Sequence, residues 1–253
     1  MVTRGEYGIT LPSYFQAYDK NTLTIIYEIT NISGSCAEVR TVNDTAYIAV
    51  NDFGNMGKMA LIALNNQIFA REIDLGIDGM NPEAVRVEGN RIYTVNSMDW
   101  TNSSITDIDA ASGTFQTQKL GTSGNCGAST LYAGNIYFQV YGENRVGVFD
   151  IITKNVWDTL TINENVYGLG IDPVNGLIYA GITDYVSFGK VSVFDLSGNR
   201  VDSFAAGVSP GTFAFDVRQV TGIEKTDKNN NFIFISNPVS GNADVMSYSK
   251  NPL

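Results

Sequence analysis

A Tyr inside a short β-prone run, just after a turn, recurs along the chain at nearly constant spacing. The four cases are Tyr47, Tyr93, Tyr137 and Tyr179. They are separated by 46, 44 and 42 residues. An Asp that ends a run recurs with the same period, at Asp19, Asp109, Asp150 and Asp195, and residues 59–65 occupy the intervening place without the Asp. Two marks that share one period indicate a structural repeat of about 44 residues.

Turn residues divide each repeat into four short runs rich in Val, Ile, Tyr or Phe. The clearest unit is residues 142–181, in which residues 172–176 (Asp, Pro, Val, Asn, Gly) form a strong hairpin turn. Pro fixes one φ angle there, while Asn and Gly tolerate positive φ. Four strands in 40–45 residues are typical of a propeller blade, so we predict an all-β fold, a β-propeller of four-stranded blades. A β-sandwich also has many short strands, but it does not require a fixed period.

Five repeat units are visible, and the fifth is divided between the two ends of the chain. Its predicted inner strand is residues 211–216, and its outer strands are residues 7–11, 14–19 and 23–29. Pairing the two ends in this way would hide exposed sheet edges. The repeat is compatible with a five-bladed ring and with a fragment of a larger ring.

The composition changes after the last repeat. Residues 227–231 form a polar run with the composition of a linker, and the strand-like run after it has no place in the blade period. We therefore predict a β-propeller over residues 1–217 and a linker with a separate segment over residues 218–253.

Charge and composition exclude several classes of function. The net charge of −10 argues against binding to nucleic acid or to an anionic membrane surface. No apolar run reaches the roughly 18 residues of a membrane-spanning helix. The chain contains no His, which excludes Ser-His-Asp and Cys-His nucleophiles and His-ligated metals. We predict no cofactor and no metal.

Two sequence resemblances follow from the motifs. Residues 14–216 resemble the YncE-like, lactonase-like surface β-propellers of Bacteroidota, on the motifs at residues 146–150, 167–173 and 207–213. The tail is similar to the opening of a type IX secretion C-terminal sorting domain, truncated here, on residues 221–224 and 237–241. These resemblances imply a secreted or cell-surface protein, with an outer-membrane receptor as one partner.

The loops between the second and third strands of each unit hold the candidate ligand-binding residues. These loops place an acid beside or near an aromatic side chain, at Asp52 and Phe53, Asp99 and Trp100, Tyr141 and Glu143, and Asp184 and Tyr185. An aromatic ring beside a carboxylate suits a sugar, a tetrapyrrole or a peptide. The alternative is that the rings cap the blades and the acids form turns.

The inner strands hold a second set of candidates. Cys36 and Cys126 begin inner strands two units apart, where we expect small buried thiols, with a disulfide or a ligand contact as alternatives. Glu38 and Glu83 lie close by and can give the channel a negative potential that suits a cation. No spaced cluster of carboxylates like a calcium loop is present.

These observations predict a non-catalytic propeller that binds a small molecule, a glycan or a protein at its loop face. The alternative is a carboxylate-dependent hydrolase or lyase that acts on a glycan or a lactone, with two acids about 5–10 Å apart across the mouth. A scaffold for protein contacts is a third reading.

Overall fold

The computed structural model describes residues 1–99, 101–122, 128–140 and 142–217, together with the backbone of two later strands, and it describes Trp157 by its backbone alone. Strands make up nearly all of the regular structure in these residues, with two short 3-10 helices, η1 (Asp52–Gly54) and η2 (Ile77–Gly79). No helix in this part of the chain is long and apolar enough to cross a bilayer.

Four antiparallel four-stranded sheets follow one another along the chain, and a three-stranded N-terminal sheet precedes them. The N-terminal sheet contains β1 (Val2–Thr3), β2 (Phe15–Tyr18) and β3 (Ile25–Ile29). Blade 1 contains β4 (Cys36–Val42), β5 (Thr45–Val50), β6 (Lys58–Ala63) and β7 (Ile68–Asp74). Blade 2 contains β8 (Pro82–Glu88), β9 (Arg91–Asn96), β10 (Ser104–Asp109) and β11 (Phe115–Lys119).

Blades 3 and 4 repeat the same order. Blade 3 contains β12 (Ser129–Tyr132), β13 (Asn135–Val140), β14 (Arg145–Asp150) and β15 (Asn155–Thr161). Blade 4 contains β16 (Val166–Ile171), β17 (Ile178–Ile182), β18 (Lys190–Phe194) and β19 (Arg200–Ala205). Within each blade the strands pair in sequence order, so the predicted all-β fold of four-stranded blades is confirmed.

The hydrophobic core lies between consecutive sheets, because side chains alternate along each strand. On β5, Ala46 and Ile48 pack toward the N-terminal sheet, whereas Tyr47 packs toward blade 2. Similar clusters join blade 2 to blade 3 and blade 3 to blade 4. Each blade therefore buries apolar side chains on both of its faces.

The recurrent Tyr occupies an equivalent place in each of these interfaces. Tyr47, Tyr93 and Tyr137 are buried in the clusters that join their own blade to the next one. The Tyr47 hydroxyl donates to the carbonyl of Ala110, in the last turn of blade 2, at 3.1 Å. Tyr179 instead contacts the rings of Phe213 and Phe215, which follow blade 4 in the chain. The 44-residue period of the sequence thus corresponds to one blade, together with its interface to the next blade.

The recurrent Asp closes the turn between the third and fourth strands. The carboxylate of Asp150 accepts the backbone N–H groups of Ile152 and Thr153, both at 2.8 Å. Asp109 forms the same turn in blade 2, and Asp19 forms it between the last two strands of the three-stranded N-terminal sheet. These bonds lower the pKa of each of the three carboxyl groups. The second sequence mark is therefore a turn former.

The predicted fifth unit differs from the structure in two places. Residues 7–11 do not form a strand: Gly8 adopts a φ of 72° and Ile9 N donates to the Glu6 carbonyl, which bends the segment, and β1 pairs with β2 instead. Residues 211–216 also lack strand pairing. The Pro210 carbonyl and Phe213 lie against glycines of blade 4, so this segment packs on a sheet face instead of joining a sheet.

The chain divides into two compact units, residues 1–215 and residues 216–253. In the second unit, β20 (Phe232–Ile235) pairs with β21 (Val245–Tyr248) in antiparallel fashion. The assignment of this unit as a sorting-type segment stays a prediction.

Candidate functional site

The inner strands of the four blades share one cavity. Residues of β4, β8, β12 and β16, together with residues 211–213 and 215, line an open space of about 800 Å³, which we call the channel. Inner strands that surround a common space are the arrangement expected of propeller blades.

β-Bulges interrupt three of these inner strands near their first residues. In β8, Pro82 pairs with Asn96 and Ala84 with Val95, so Glu83 between them is left without a partner. In β16 the corresponding shift leaves Tyr167 unpaired.

The register of β4 shifts at the same place. Cys36 pairs with Val50 and Val39 with Ile48, which leaves Ala37 and Glu38 outside the ladder. A bulge turns its side chain away from the direction that regular alternation would give. Glu38, Glu83 and Tyr167 are therefore all bulge residues, and all three line the channel.

Arg86 of β8 joins three blades through its guanidinium group. It donates to the carboxylate of Glu38 in blade 1 at 2.7 Å and to the carbonyl of Ser129 in blade 3 at 2.6 Å. Burial lowers the pKa of Arg86, and the nearby Glu38 opposes this effect. Arg40 pairs with the other oxygen of Glu38, and the Val85 N–H donates to the same carboxylate at 2.9 Å. The charge of Glu38 is therefore compensated.

Glu83 has a different environment. No ion pair joins it to a Lys or Arg of the described residues, whereas Glu38 has two such partners. Burial raises the pKa of the Glu83 carboxyl, and the nearby amide of Asn81 partly offsets this shift. The Asn81 side chain is fully buried, and neither its nitrogen nor its oxygen makes a hydrogen bond of normal geometry. Glu83 is thus a partly buried carboxylate in the channel without a compensating cation.

Aromatic side chains form the blade 4 side of the channel. Phe213 and Phe215 line it, and their ring centroids lie 6.1 and 5.3 Å from that of Tyr179. Tyr167 meets Tyr185 edge to face at 5.4 Å. Tyr185 is one of the loop residues predicted from sequence, and it is 61% exposed. The structure therefore joins this loop to the channel through Tyr167.

Two of the predicted acids, Asp184 and Asp99, accept hydrogen bonds from residues of their own loops. The Asp184 carboxylate accepts the backbone N–H groups of Val186 and Ser187 and the Ser187 hydroxyl. These bonds, the hydroxyl first, lower the pKa of Asp184 to about 2. Asp99 accepts in the same way from Thr101 and Asn102, mainly from the Asn102 side chain, and its pKa is also lowered. Both acids form turns, which is the alternative role considered for them.

Asp52 and Phe53 lie at a second cavity. They belong to η1, have φ angles of 45° and 54°, and line a space of about 440 Å³ with residues 6–11. The Phe53 ring meets Tyr7 edge to face at 5.5 Å. Neither residue is among those that line the channel.

The remaining predicted site residues lie apart from these contacts. Glu143 forms an exposed ion pair with Arg145. Trp100 and Tyr141 lie outside the described residues, as does Cys126. The thiol of Cys36 is not in a disulfide, and burial, with a smaller effect of Glu72, raises its pKa to about 12. It is therefore a weak nucleophile at neutral pH.

Arg86 and Tyr167 are channel residues that sequence reasoning did not select. The available signal for Arg86 was an Arg between two Val residues, Val85 and Val87, of a predicted inner strand. For Tyr167 no such signal existed, because Tyr is a common strand residue.

Comparison with known proteins supports the fold. No protein-family model and no curated protein match the chain. Among solved structures, the chain is similar to a chain of hydrazine synthase from Kuenenia stuttgartiensis, a β-propeller protein, with a TM-score of 0.58 and 17% identity. The match covers 76% of this chain and 53% of that one, so it spans about half of the longer chain. At this identity the likeness shows the fold alone.

Proposed function

We propose that this propeller is a non-catalytic binding module that holds a small ligand in the channel, at the end where the bulges lie. The observation that carries the proposal is the convergence of three bulge residues, Glu38, Glu83 and Tyr167, on one open cavity. Bulges often occur where a sheet must direct a side chain into a site.

The size and lining of the channel support this function. Its volume of about 800 Å³ is within the range of small-molecule sites, and such sites combine apolar walls with a few polar groups. Here Tyr167, Phe213 and Phe215 supply aromatic surface, while Glu83 supplies an acceptor. A small molecule or one or two sugar units fit this space, and a larger glycan or a protein partner would reach it through the exposed Tyr185.

The charge distribution supports binding more than turnover. A carboxylate-based hydrolase needs two acids that exchange protons or attack the substrate. Glu38, the bulge carboxylate of blade 1, is held by Arg40 and Arg86. Glu38 is therefore not available to Glu83 as a second free carboxylate. Glu88 also lines the channel, but it lies at the other end of β8, roughly 16 Å away along the strand, which is too far for a catalytic pair.

The proposed setting is the cell exterior. The resemblance to YncE-like propellers and the sorting-type tail motifs support a secreted or surface location and an outer-membrane receptor as a partner. A propeller that captures a ligand for such a receptor would need no chemistry of its own.

The test is a ligand-observed NMR screen of the full chain against small aromatic, sugar and tetrapyrrole compounds. We expect hits that bind in the channel and lose about tenfold or more in affinity in Tyr167→Ala, since removal of a stacking ring costs roughly 1–3 kcal/mol. Tyr7→Ala, at the second cavity, is the matched control and should keep its hits. Hits that respond to Tyr7→Ala and not to Tyr167→Ala would refute the channel as the site.

A further inference from the structure

We infer that the ligand of the channel carries a positively charged nitrogen that pairs with Glu83. This inference rests on the proposed function and adds the chemical class of the ligand. It starts from the contrast between two bulge carboxylates that line the same cavity.

Glu38 and Glu83 occupy bulges at the start of neighbouring inner strands, but only Glu38 is neutralised. Glu38 accepts from two guanidinium groups and one backbone N–H. Glu83 is partly buried, and no ion pair joins it to a Lys or Arg of the described residues. Arg86 lines the same cavity, but its guanidinium group donates to Glu38 and to the Ser129 carbonyl. A carboxylate that has lost part of its hydration without gaining a positively charged partner is unfavourable in the unliganded protein. A ligand that brings the missing charge recovers that free energy on binding.

The neighbouring Asn81 adds an independent observation. Its amide is completely buried beside Glu83, yet both of its polar atoms lack a hydrogen bond of normal geometry. Buried amides are nearly always satisfied, and an exception often marks a place that a ligand or water occupies.

A metal ion fits this place less well than an organic cation. Ca²⁺ requires six to eight oxygen ligands. Among the described residues there is no group of three or more His, Cys, Asp or Glu side chains that could hold a metal. One carboxylate is enough for an ammonium group, which forms short charge-assisted hydrogen bonds.

The aromatic walls suit the same ligand. Tyr167 is the bulge residue of β16 that corresponds to Glu83 in β8, since each is the second residue of its strand. Phe213 and Phe215 line the same space. Aromatic faces attract cations, and they also cover the apolar part of an amine. The channel thus combines one partly buried carboxylate without an ion pair, Glu83, with several aromatic rings, as an arylalkyl amine requires.

The test measures the binding of three probes of similar shape to the full chain. Benzylammonium, benzyl alcohol and benzoate are each titrated by NMR at neutral pH. We expect benzylammonium to bind at least about tenfold more tightly than benzyl alcohol, because a charge-assisted hydrogen bond is stronger than one from a neutral hydroxyl group. Benzoate should bind most weakly. This comparison needs no variant.

Glu83→Gln keeps the shape of the side chain and removes its charge. It should lower benzylammonium affinity about 10- to 100-fold and leave benzyl alcohol unchanged. Asp202→Asn, on the exposed outer strand of blade 4, removes one negative charge elsewhere and should change neither affinity. Circular dichroism verifies that both variants are folded.

The outcomes separate this inference from the proposed function. If benzyl alcohol or benzoate binds in the channel as tightly as benzylammonium, or if Glu83→Gln retains full affinity for the amine, the cationic ligand is ruled out and the binding module stands. If none of the three probes and none of the screened compounds bind the folded chain, both proposals fall.

Discussion

At the scale of single residues, glycines decide how closely the chain can approach blade 4. A Cβ atom added to Gly181 would lie 1.8 Å from the Pro210 carbonyl oxygen, and one added to Gly168 would lie 2.4 Å from the same atom. The backbone at Pro210 therefore rests directly on the sheet. This close approach allows Phe213 to reach Tyr179 and to line the channel.

Gly181→Ala should disrupt this contact. The new methyl group meets backbone atoms that cannot move aside like a flexible side chain, so we expect a loss of about 1–3 kcal/mol in the free energy of unfolding. Urea denaturation measures this loss. Gly207→Ala is the matched control, since an added Cβ there has no neighbour within 4 Å. Equal stability of the two variants would mean that residues near Pro210 do not pack on blade 4 in solution.

At the scale of elements, local turn bonds shape the loops that lead to the channel. The loop between β17 and β18 is held by Asp184, whose carboxylate accepts three hydrogen bonds. This loop presents Tyr185 to Tyr167 and leaves Val186 and Phe188 exposed. Asp184 thus positions Tyr185. Of this predicted pair, the acid forms the turn and the aromatic residue contacts Tyr167 of the channel.

Asp184 stabilises the folded protein through these turn hydrogen bonds, and this stabilisation depends on pH. The folded-state pKa is lowered to about 2, against about 4 in an unfolded chain, so the contribution is complete above pH 4 and is lost as the pH falls through about 2. Asp184→Asn should lower the Tm at pH 7, and the difference from the native chain should shrink between pH 4 and pH 2.

Thermal scans monitored by circular dichroism at a series of pH values measure this difference. Asp202→Asn, in the same blade, corrects for the loss of one surface charge. A Tm difference for Asp184→Asn that is the same at pH 7 and pH 2 would contradict the role of the carboxylate in the turn.

At the scale of the whole propeller unit, stability comes from two kinds of contact between blades. Hydrophobic clusters join each sheet to the next, and the buried guanidinium of Arg86 ties blades 1, 2 and 3 together at the channel. The apolar clusters follow from the repeat, whereas the Arg86 contacts occur once.

Arg86→Met should therefore destabilise the propeller strongly. The substitution leaves the Glu38 carboxylate without its more buried partner and the Ser129 carbonyl without its donor, which costs about 3–5 kcal/mol for a buried pair. Arg40→Met removes the more exposed partner of the same carboxylate and should cost less than about 1 kcal/mol. Equilibrium urea unfolding compares the two. Similar losses would show that Arg86 does not act as a bridge.

Much of the fold could be predicted from the sequence because its signals are local and repeated. Tyr47, Tyr93 and Tyr137 mark one interface position, and the Asp residues mark one turn, so the period identifies the blade. The fifth unit was less predictable. Residues 7–11 and 211–216 have strand-like composition, but a glycine turn bends the first and the glycine surface of blade 4 holds the second.

The candidate site was harder to predict for the same physical reason. An acid beside an aromatic residue looks like a ligand contact in sequence, but Asp99 and Asp184 satisfy their carboxylates within their own loops. Glu38 and Glu83 were recognised as channel acids. The sequence does not show that Glu38 alone is neutralised, because its partner Arg86 belongs to the neighbouring blade.

By itself, the sequence determined the repeat, the four-stranded blade and the turns that bound it, since each depends on residues close together in the chain. Only the tertiary structure decided which side chains meet in the channel. That depends on strand register: a shift of one residue at the start of β8 and β16 turns Glu83 and Tyr167 into a shared space. Such a shift follows from the pairing of one strand with another, which no local pattern records.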